Sequence, residues 1–332
     1  MVSMKCLEQG DASMGLQGFD KRFCDLRDYI LTITEEIWEG RGIDLIRHYY
    51  SEDCPVKTPA GAFRGVEKVV QGTLATLQEF PDRTLLGEDV IEGGPVSGCY
   101  YSSHRILSQM THMGEGQFGS PTWRSAEVMT IADCLCQNNR IVDEWLVRDQ
   151  SGLALQLGAS PMTLGQALAT TADWPDAEAL VERWRGAQGD LDIDSLGEVA
   201  QRYRDLWQDA CLDRLRQGYS RAIDAKVPGG RHLRGLTQLE SFWFEMKAAF
   251  PAGCYRIHHY LDREEPGMPR RVALRWSLQT RHLGAGRFGQ PSGADVVLLG
   301  ITHAEIVRGQ VLREWHLLDE IAIHAQIAHQ QR

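Results

Sequence analysis

The sequence predicts an α+β fold built twice in tandem, each copy a curved antiparallel sheet wrapped by the helices that precede it. Three observations predict it: an internal repeat at a single spacing, a helix-then-strand order inside each copy, and Gly, Pro and Asn turns that punctuate the strand half. The repeat is plainest where His112 to Pro121 reads H-M-G-E-G-Q-F-G-S-P and His282 to Pro291 reads H-L-G-A-G-R-F-G-Q-P, 170 positions later. The same offset carries Glu144-Trp145 and Asp149 onto Glu314-Trp315 and Asp319, and Phe80-Pro81 onto Phe250-Pro251. With one residue absorbed in the loop before Arg234, Tyr50 and Trp38 meet Tyr219 and Trp207. Recurrence of His, Trp, Phe and Pro over more than a hundred positions marks a repeated structural unit. It divides the 332 residues into an N-terminal arm (1–21), a first domain (22–158), a linker holding one short helix (159–190) and a second domain (191–330), in keeping with about 150 residues per domain.

Each copy opens with helices. Leu26, Tyr29, Ile30, Ile33, Ile37 and Trp38 recur at three- and four-residue spacing, the stripe of an amphipathic helix. Gly40-Arg41-Gly42 breaks it, and Ile43 to Tyr50 reads as a second short helix. Pro55 to Gly65 reads as a loop, and Val66 to Phe80 as a third helix stopped by Pro81. Beyond Pro81 the character changes: Val90-Ile91, Ser97 to His112, Ala126 to Leu135 and Arg140 to Arg148 are strand-like and separated by turn residues. Helices followed by consecutive strands indicate α+β rather than alternating β-α-β. A sheet curved around its own helices encloses a cavity, the usual place for a small molecule.

Composition narrows the function. With 35 basic and 45 acidic residues the net charge is −10, which points away from nucleic acid and anionic membranes. No apolar run approaches a membrane span, and the first twenty residues lack a basic stretch followed by an apolar core, so a cytoplasmic protein is expected. The glycines of the repeat spell G-x-G-x-x-G twice, but Pro121 or Pro291 and another strand follow where a dinucleotide site needs a helix. Cys134 and Cys136 lack the further ligands zinc requires, and copy two has Ala304 and Ile306 in their place. Neither a metal nor a cofactor is expected. Arg105 and Arg275 fall on the strand face opposite His112 and His282, which suits an outward or inter-domain contact.

The F-P turn, the H-x-G-x-G-x-F-G-x-P run and the W-x-x-x-D element followed by an apolar helix with Gln occur in this order in both copies. In these features each copy resembles the SnoaL-like polyketide cyclases of the NTF2-like, ketosteroid isomerase-like superfamily. The resemblance implies a cone-shaped sheet whose mouth is closed by helices, and an aspartate acting as general acid/base in an intramolecular aldol closure. It carries that aspartate onto Asp149 and Asp319 and the pocket histidine onto His112 and His282. Two departures stand out: the P-T-G-R-like turn of the family reads Pro121-Thr122-Trp123-Arg124 in copy one and Pro291-Ser292-Gly293-Ala294 in copy two, and the tandem arrangement itself is unusual. The sheet faces of this superfamily commonly pair into dimers, so an intramolecular pseudo-dimer is expected, with further self-association open.

Strand parity groups the same residues. Trp145, Val147 and Asp149 share one face of their strand, and His104, Met110 and His112 share one face of theirs. If both faces are concave, a carboxylate meets two imidazoles among apolar walls, where burial raises its pKa toward that of a useful base. The same residues also fit a buried hydrogen-bonded pair with no catalytic role. The expected catalytic set is Asp149, His112, His104, Asp319 and His282, with Trp145, Trp123, Met110, Phe118, Trp315, Phe288, Trp38 and Trp207 around a hydrophobic substrate. Because His104, Met110 and Trp123 become Leu274, Thr280 and Gly293, copy one is expected to carry the chemistry. The expected function is cofactor-free aldol cyclisation or isomerisation of a carbonyl compound; a ligand-binding protein without turnover and a structural pseudo-dimer are the alternatives.

Overall fold

The computed structural model of the chain describes residues 16–96, 98–171, 174–184 and 191–332, so most of the expected N-terminal arm lies outside the described residues. Helix α1 (Leu26–Thr34) begins where the Asp25 carboxylate accepts the Asp28 N–H at 2.7 Å, and it buries Leu26, Tyr29, Ile30 and Ile33. A turn of π-helix, Glu35–Glu39, extends it to Gly40. After α2 (Ile46–Tyr49) the expected loop is instead a hairpin, β1 (Pro55–Thr58) and β2 (Gly61–Arg64), which leads into α3 (Val66–Glu79). Gly65 and Gly235 stand just before the equivalent helices at φ 104° and 79°, a left-handed backbone that explains the repeated Arg-Gly pair. Strands β3 (Thr84–Val96), β4 (Cys99–Thr111), β5 (Ser125–Gln137) and β6 (Arg140–Arg148) and helix α4 (Gln150–Leu157) complete the first domain.

Two helices rather than one connect the domains: α5 (Pro161–Leu168), capped by Ser160, and α6 (Ala177–Trp184). The second domain runs α7 (Glu198–Trp207), α8 (Asp213–Gly218), β7 (Tyr219–Val227), β8 (Arg231–Arg234), α9 (Leu236–Ala249), β9 (Gly253–Arg263), β10 (Arg270–Arg281), β11 (Asp295–Val307), β12 (Gln310–Leu318) and α10 (Glu320–Gln330). The two six-stranded sheets have the same order, β2-β1-β6-β5-β4-β3 and β8-β7-β12-β11-β10-β9. Each is mixed rather than purely antiparallel, because the missed hairpin joins by a parallel pairing, β1 to β6 and β7 to β12. No helix among the described residues is long and apolar enough to cross a membrane.

The sheets pack against each other through their outer faces. Met129, Ile131, Trp145 and Val147 meet Val297, Leu299, Ile301, Trp315 and Leu317, with Leu180 and Trp184 of α6 closing one side. Arg105 lies 3.5 Å from the Trp315 ring centroid and Arg275 lies 4.2 Å from that of Trp145, a reciprocal pair of cation–π contacts across the pseudo-twofold. The outward or inter-domain place read for these arginines is therefore where they stand. Asp133 accepts from Arg275 at 3.1 Å and pairs with His259 at 3.0 Å. Burial alone would raise that carboxyl; the His259 hydrogen bond and the charges of His259 and Arg275 outweigh it and hold it at about 2. Asp133→Ala leaves a buried guanidinium without its anion, so a loss of about 3–5 kcal/mol is expected in urea unfolding.

Candidate active site

Between its sheet and its helices the first domain encloses a cavity of about 200 Å³. Its walls are Ile30, Ile33, Trp38, Val69, Ile106 and Leu146, and its polar members include Tyr50, Arg83, His104, Thr130, Glu144 and Arg148. The concave face of β6 is thus the even one, Glu144, Leu146 and Arg148, while Trp145 and Val147 point out to the other domain. On β4 the parity is as expected, and His104 lines the cavity with Trp38 of the helical wall.

Low dielectric shapes the charge states here. Burial pushes the Glu144 carboxyl up to about 7, against the opposing pull of the Arg148 charge and the Tyr50 hydroxyl hydrogen-bonded to it. His104 is 2% exposed and its Nε2 has no hydrogen-bond partner. Burial, reinforced by the Arg105 charge, lowers it to about 3, so its imidazole is neutral at physiological pH. Glu144 and Arg148 escaped the sequence reading although Glu144 stands inside the repeated E-W pair. Their signal was the charge spacing of four along a strand, which places both on one face.

Asp149 does not line the cavity. It caps α4, accepting from Ser151 Oγ at 2.8 Å and Gly152 N at 2.9 Å, and reaches into the second domain to accept from Gly229 N and Gly230 N at 2.9 and 2.7 Å. A Cβ on Gly152 would stand 2.6 Å from Gly230 N, so glycine is what lets the domains approach there. Burial raises the Asp149 carboxyl and these four hydrogen bonds oppose the rise. The arrangement is an inter-domain clasp. Asp149→Asn turns an NH₂ toward backbone donors and is expected to cost roughly 1–3 kcal/mol, read as a lower Tm with the pH profile of any turnover unmoved.

Asp319 likewise caps α10 by accepting from Ile321 N, and burial lifts it to about 7. His112 sits between Thr122 Oγ1 at 3.1 Å and Glu79 Oε1 at 3.3 Å. Glu79 in turn accepts the N–H groups of Gln117 and Phe118, so the histidine and the glycine run form one braced loop. In the second domain Ala249 replaces Glu79 and His282 contacts Ser292 Oγ at 3.0 Å. Met110 and Phe118 border a smaller cavity of about 40 Å³ beside the first. Trp123 is 70% exposed, Trp315 lies in the inter-domain core, and Phe288 and Trp207 are buried in the second domain. The structure therefore joins only His104 and Trp38 of the expected set in the main cavity, with Met110 and Phe118 adjoining it.

The second cone is built from the same scaffold but gathers aromatic rings at its centre. Trp276, in the place of Ile106, lies 5.2 Å centroid to centroid from both Trp207 and His316, and Trp207 lies 5.0 Å from Trp243. Gly300 stands where copy one has Thr130, and a Cβ there would come within 2.1 Å of the Trp276 ring. Arg83, His104 and Arg148 are replaced by Gly253, Leu274 and Leu318. Glu314 keeps the position of Glu144, accepts from Tyr203 at 3.1 Å and is raised by burial to about 7.

Among the described residues no group of three or more His, Cys, Asp or Glu side chains is arranged to hold a metal ion. None of the curated proteins matches the chain. Among solved structures it is similar to IdmH, a candidate polyketide cyclase from Streptomyces antibioticus, at 24% identity over 40% of this chain and 98% of that one, TM-score 0.35. It is also similar to a SnoaL-like candidate polyketide cyclase from Jannaschia sp. CCS1, at 20% identity over 39% and 88%, TM-score 0.35. A third likeness is to AclR, a candidate hydroxylase from Streptomyces galilaeus, at 19% identity over 40% and 80%, TM-score 0.35. Residues 197–327 match the family model of the SnoaL-like polyketide cyclases. The second half of the chain thus matches the family model of the SnoaL-like polyketide cyclases, and the first half builds the same strand order.

Proposed function

We propose that the first cone is the working site, a small-molecule active site for cofactor-free acid/base chemistry on a carbonyl compound, and that the second cone is its scaffold. The observation that carries this reading is the Glu144 carboxyl, buried in an apolar-walled cavity and poised at about 7, in a lining that also holds a neutral His104 whose Nε2 has no partner. A base is most useful when its pKa lies near the working pH. Glu144 would remove a proton from the carbon next to the carbonyl, and His104, with its proton on Nε2, would donate to the enolate oxygen. In ring closure the carbon then attacks a second carbonyl of the same molecule and the new alkoxide takes the proton from Glu144. In isomerisation Glu144 returns that proton at another carbon. A cavity of about 200 Å³, below the usual 300–1,000 Å³ of ligand sites, favours a compact substrate.

The aromatic cluster at the centre of the second cone supports a structural role for that half, since those rings stand where the first cone has its cavity. The test is proton exchange: the protein is incubated in D₂O with a panel of hydrophobic ketones and compact aromatic polyketides, and label at the α-carbon is followed by NMR. Exchange that disappears in Glu144→Gln supports the reading. Exchange that survives it, or binding of the panel without any exchange, overturns it, the latter in favour of a ligand-binding protein.

A further inference from the structure

Two guanidiniums face the first cavity. Arg83 follows the Phe80-Pro81 turn just ahead of β3, and Arg148 is the last residue of β6; both line the main cavity and the smaller one beside it. Arg83 is only 5% exposed, donates to Ser108 Oγ at 3.2 Å and has an Nε without a hydrogen-bond partner. The Arg148 Nε is buried and unpartnered as well. Buried charge without matched donors and acceptors is expensive to keep, and the second cone does not keep it at these two positions, where Gly253 and Leu318 stand.

The surrounding charges do not neutralise the pair. Besides burial, Arg83 feels the positive charges of Arg148 and Arg41 and the negative charge of Glu39, while Arg148 feels Glu144 and Tyr50. Arg41 is itself occupied by the carbonyls of Trp38, Pro81 and Arg83. Lys68, an exposed residue, lines the same cavity and adds a further cation. A cavity with three basic side chains and one carboxyl that is half protonated near neutrality is short of negative charge.

We propose that Arg83 and Arg148 form an anion seat in the first cone, and that the compound bound there carries a carboxylate. The proposal rests on reading this cavity as the substrate site, and it narrows the substrate from a carbonyl compound to a carbonyl acid. Guanidiniums present forked N–H donors that match the two oxygens of a carboxylate. The seat would fix the acid end of the substrate and leave the carbon to be deprotonated to Glu144.

Calorimetric titration with benzoate, and with benzamide as its neutral isostere, tests the seat without any need for turnover. The intact protein is expected to bind benzoate at least about tenfold more tightly than benzamide, the scale of a charge-assisted hydrogen bond. Arg148→Leu, the residue the second cone already tolerates at Leu318, is expected to erase that preference. Glu144→Gln is expected to strengthen benzoate binding, because it removes the carboxylate that lines the main cavity, while it abolishes proton exchange. Equal binding of the two probes by the intact protein overturns the seat, as does a benzoate preference undiminished in Arg148→Leu. Should Arg148→Leu fail to fold, weaker benzoate binding in Glu144→Gln overturns it too. Loss of the seat with Glu144-dependent exchange intact leaves the proposed chemistry standing, and benzoate preference with exchange surviving Glu144→Gln does the reverse.

Discussion

Replacing Glu144 by glutamine is expected to lower turnover by roughly 10²–10⁴-fold, the usual contribution of a positioned general base. Glutamine keeps the volume and the acceptor oxygen while removing the proton-accepting charge, so the cavity and its Tyr50 contact survive. Glu314→Gln, the matching change in the second cone, is expected to leave turnover where it was. The pH dependence gives an independent check. Catalysis requires the ionised carboxylate, so kcat/KM should rise with a midpoint near 7 and flatten above it, whereas a solvent-exposed glutamate would already be flat well below. Arg148 lowers the Glu144 pKa, so Arg148→Leu should move the midpoint to higher pH.

Stability should move the opposite way. The folded pKa of Glu144 lies above its unfolded value, from 4.5 to about 7, so its favourable contribution is complete below 4.5 and is lost as pH rises through 7. Glu144→Gln escapes that loss. Its Tm is therefore expected to exceed that of the parent protein at pH 8 and to equal it near pH 4, an exchange of robustness for function seen wherever a site holds a costly charge. A variant that is both inactive and less stable at pH 8 would mean that Glu144 is a structural acid.

Trp276→Ala should produce a loss of stability as large as that of Asp133→Ala. Trp276 is fully buried, touches Trp207, Tyr255 and His316 through their rings and donates its indole N–H to Thr302 Oγ1 at 2.9 Å. Removing it opens a void that Gly300, without a side chain, does nothing to fill. The expected cost is about 3–5 kcal/mol, seen as an earlier denaturation midpoint, with the turnover of the remaining folded protein unchanged. A parallel loss of turnover at temperatures where the variant is fully folded would show that the second cone takes part in the chemistry.

Much of this architecture can be read from residues alone. The repeat exposes the duplication because Gly114 and Gly284 stand against the Gln78 and Ala248 carbonyls, where a Cβ cannot fit, and the Phe-Pro turn ends a helix in both copies. His104 and Trp38 are legible as cavity residues from strand and helix periodicity. The concave face of β6 is not legible, for a physical reason. Its outer face is covered by the other sheet, so Trp145 and Val147 are buried on one side while Glu144 and Leu146 turn to the other. When both faces are hidden, the rule that apolar side chains mark the interior no longer tells them apart. Charge then becomes the better guide, since Glu144 and Arg148 both line the cavity. The hairpin β1–β2 is hidden similarly, in four-residue strands around Pro59 and Gly61 that resemble turn sequence.

The clasp formed by Asp149 on Gly229 and Gly230 fastens two halves that already share one covalent chain, and this has an evolutionary consequence. In a pair of identical subunits every substitution appears in both mouths at once, so neither can stiffen without the other losing its hollow. A tethered pair escapes that symmetry. One half was free to exchange arginine and histidine for glycine and leucine and an isoleucine for indole, while its twin kept the expensive charges that the proposed site would use.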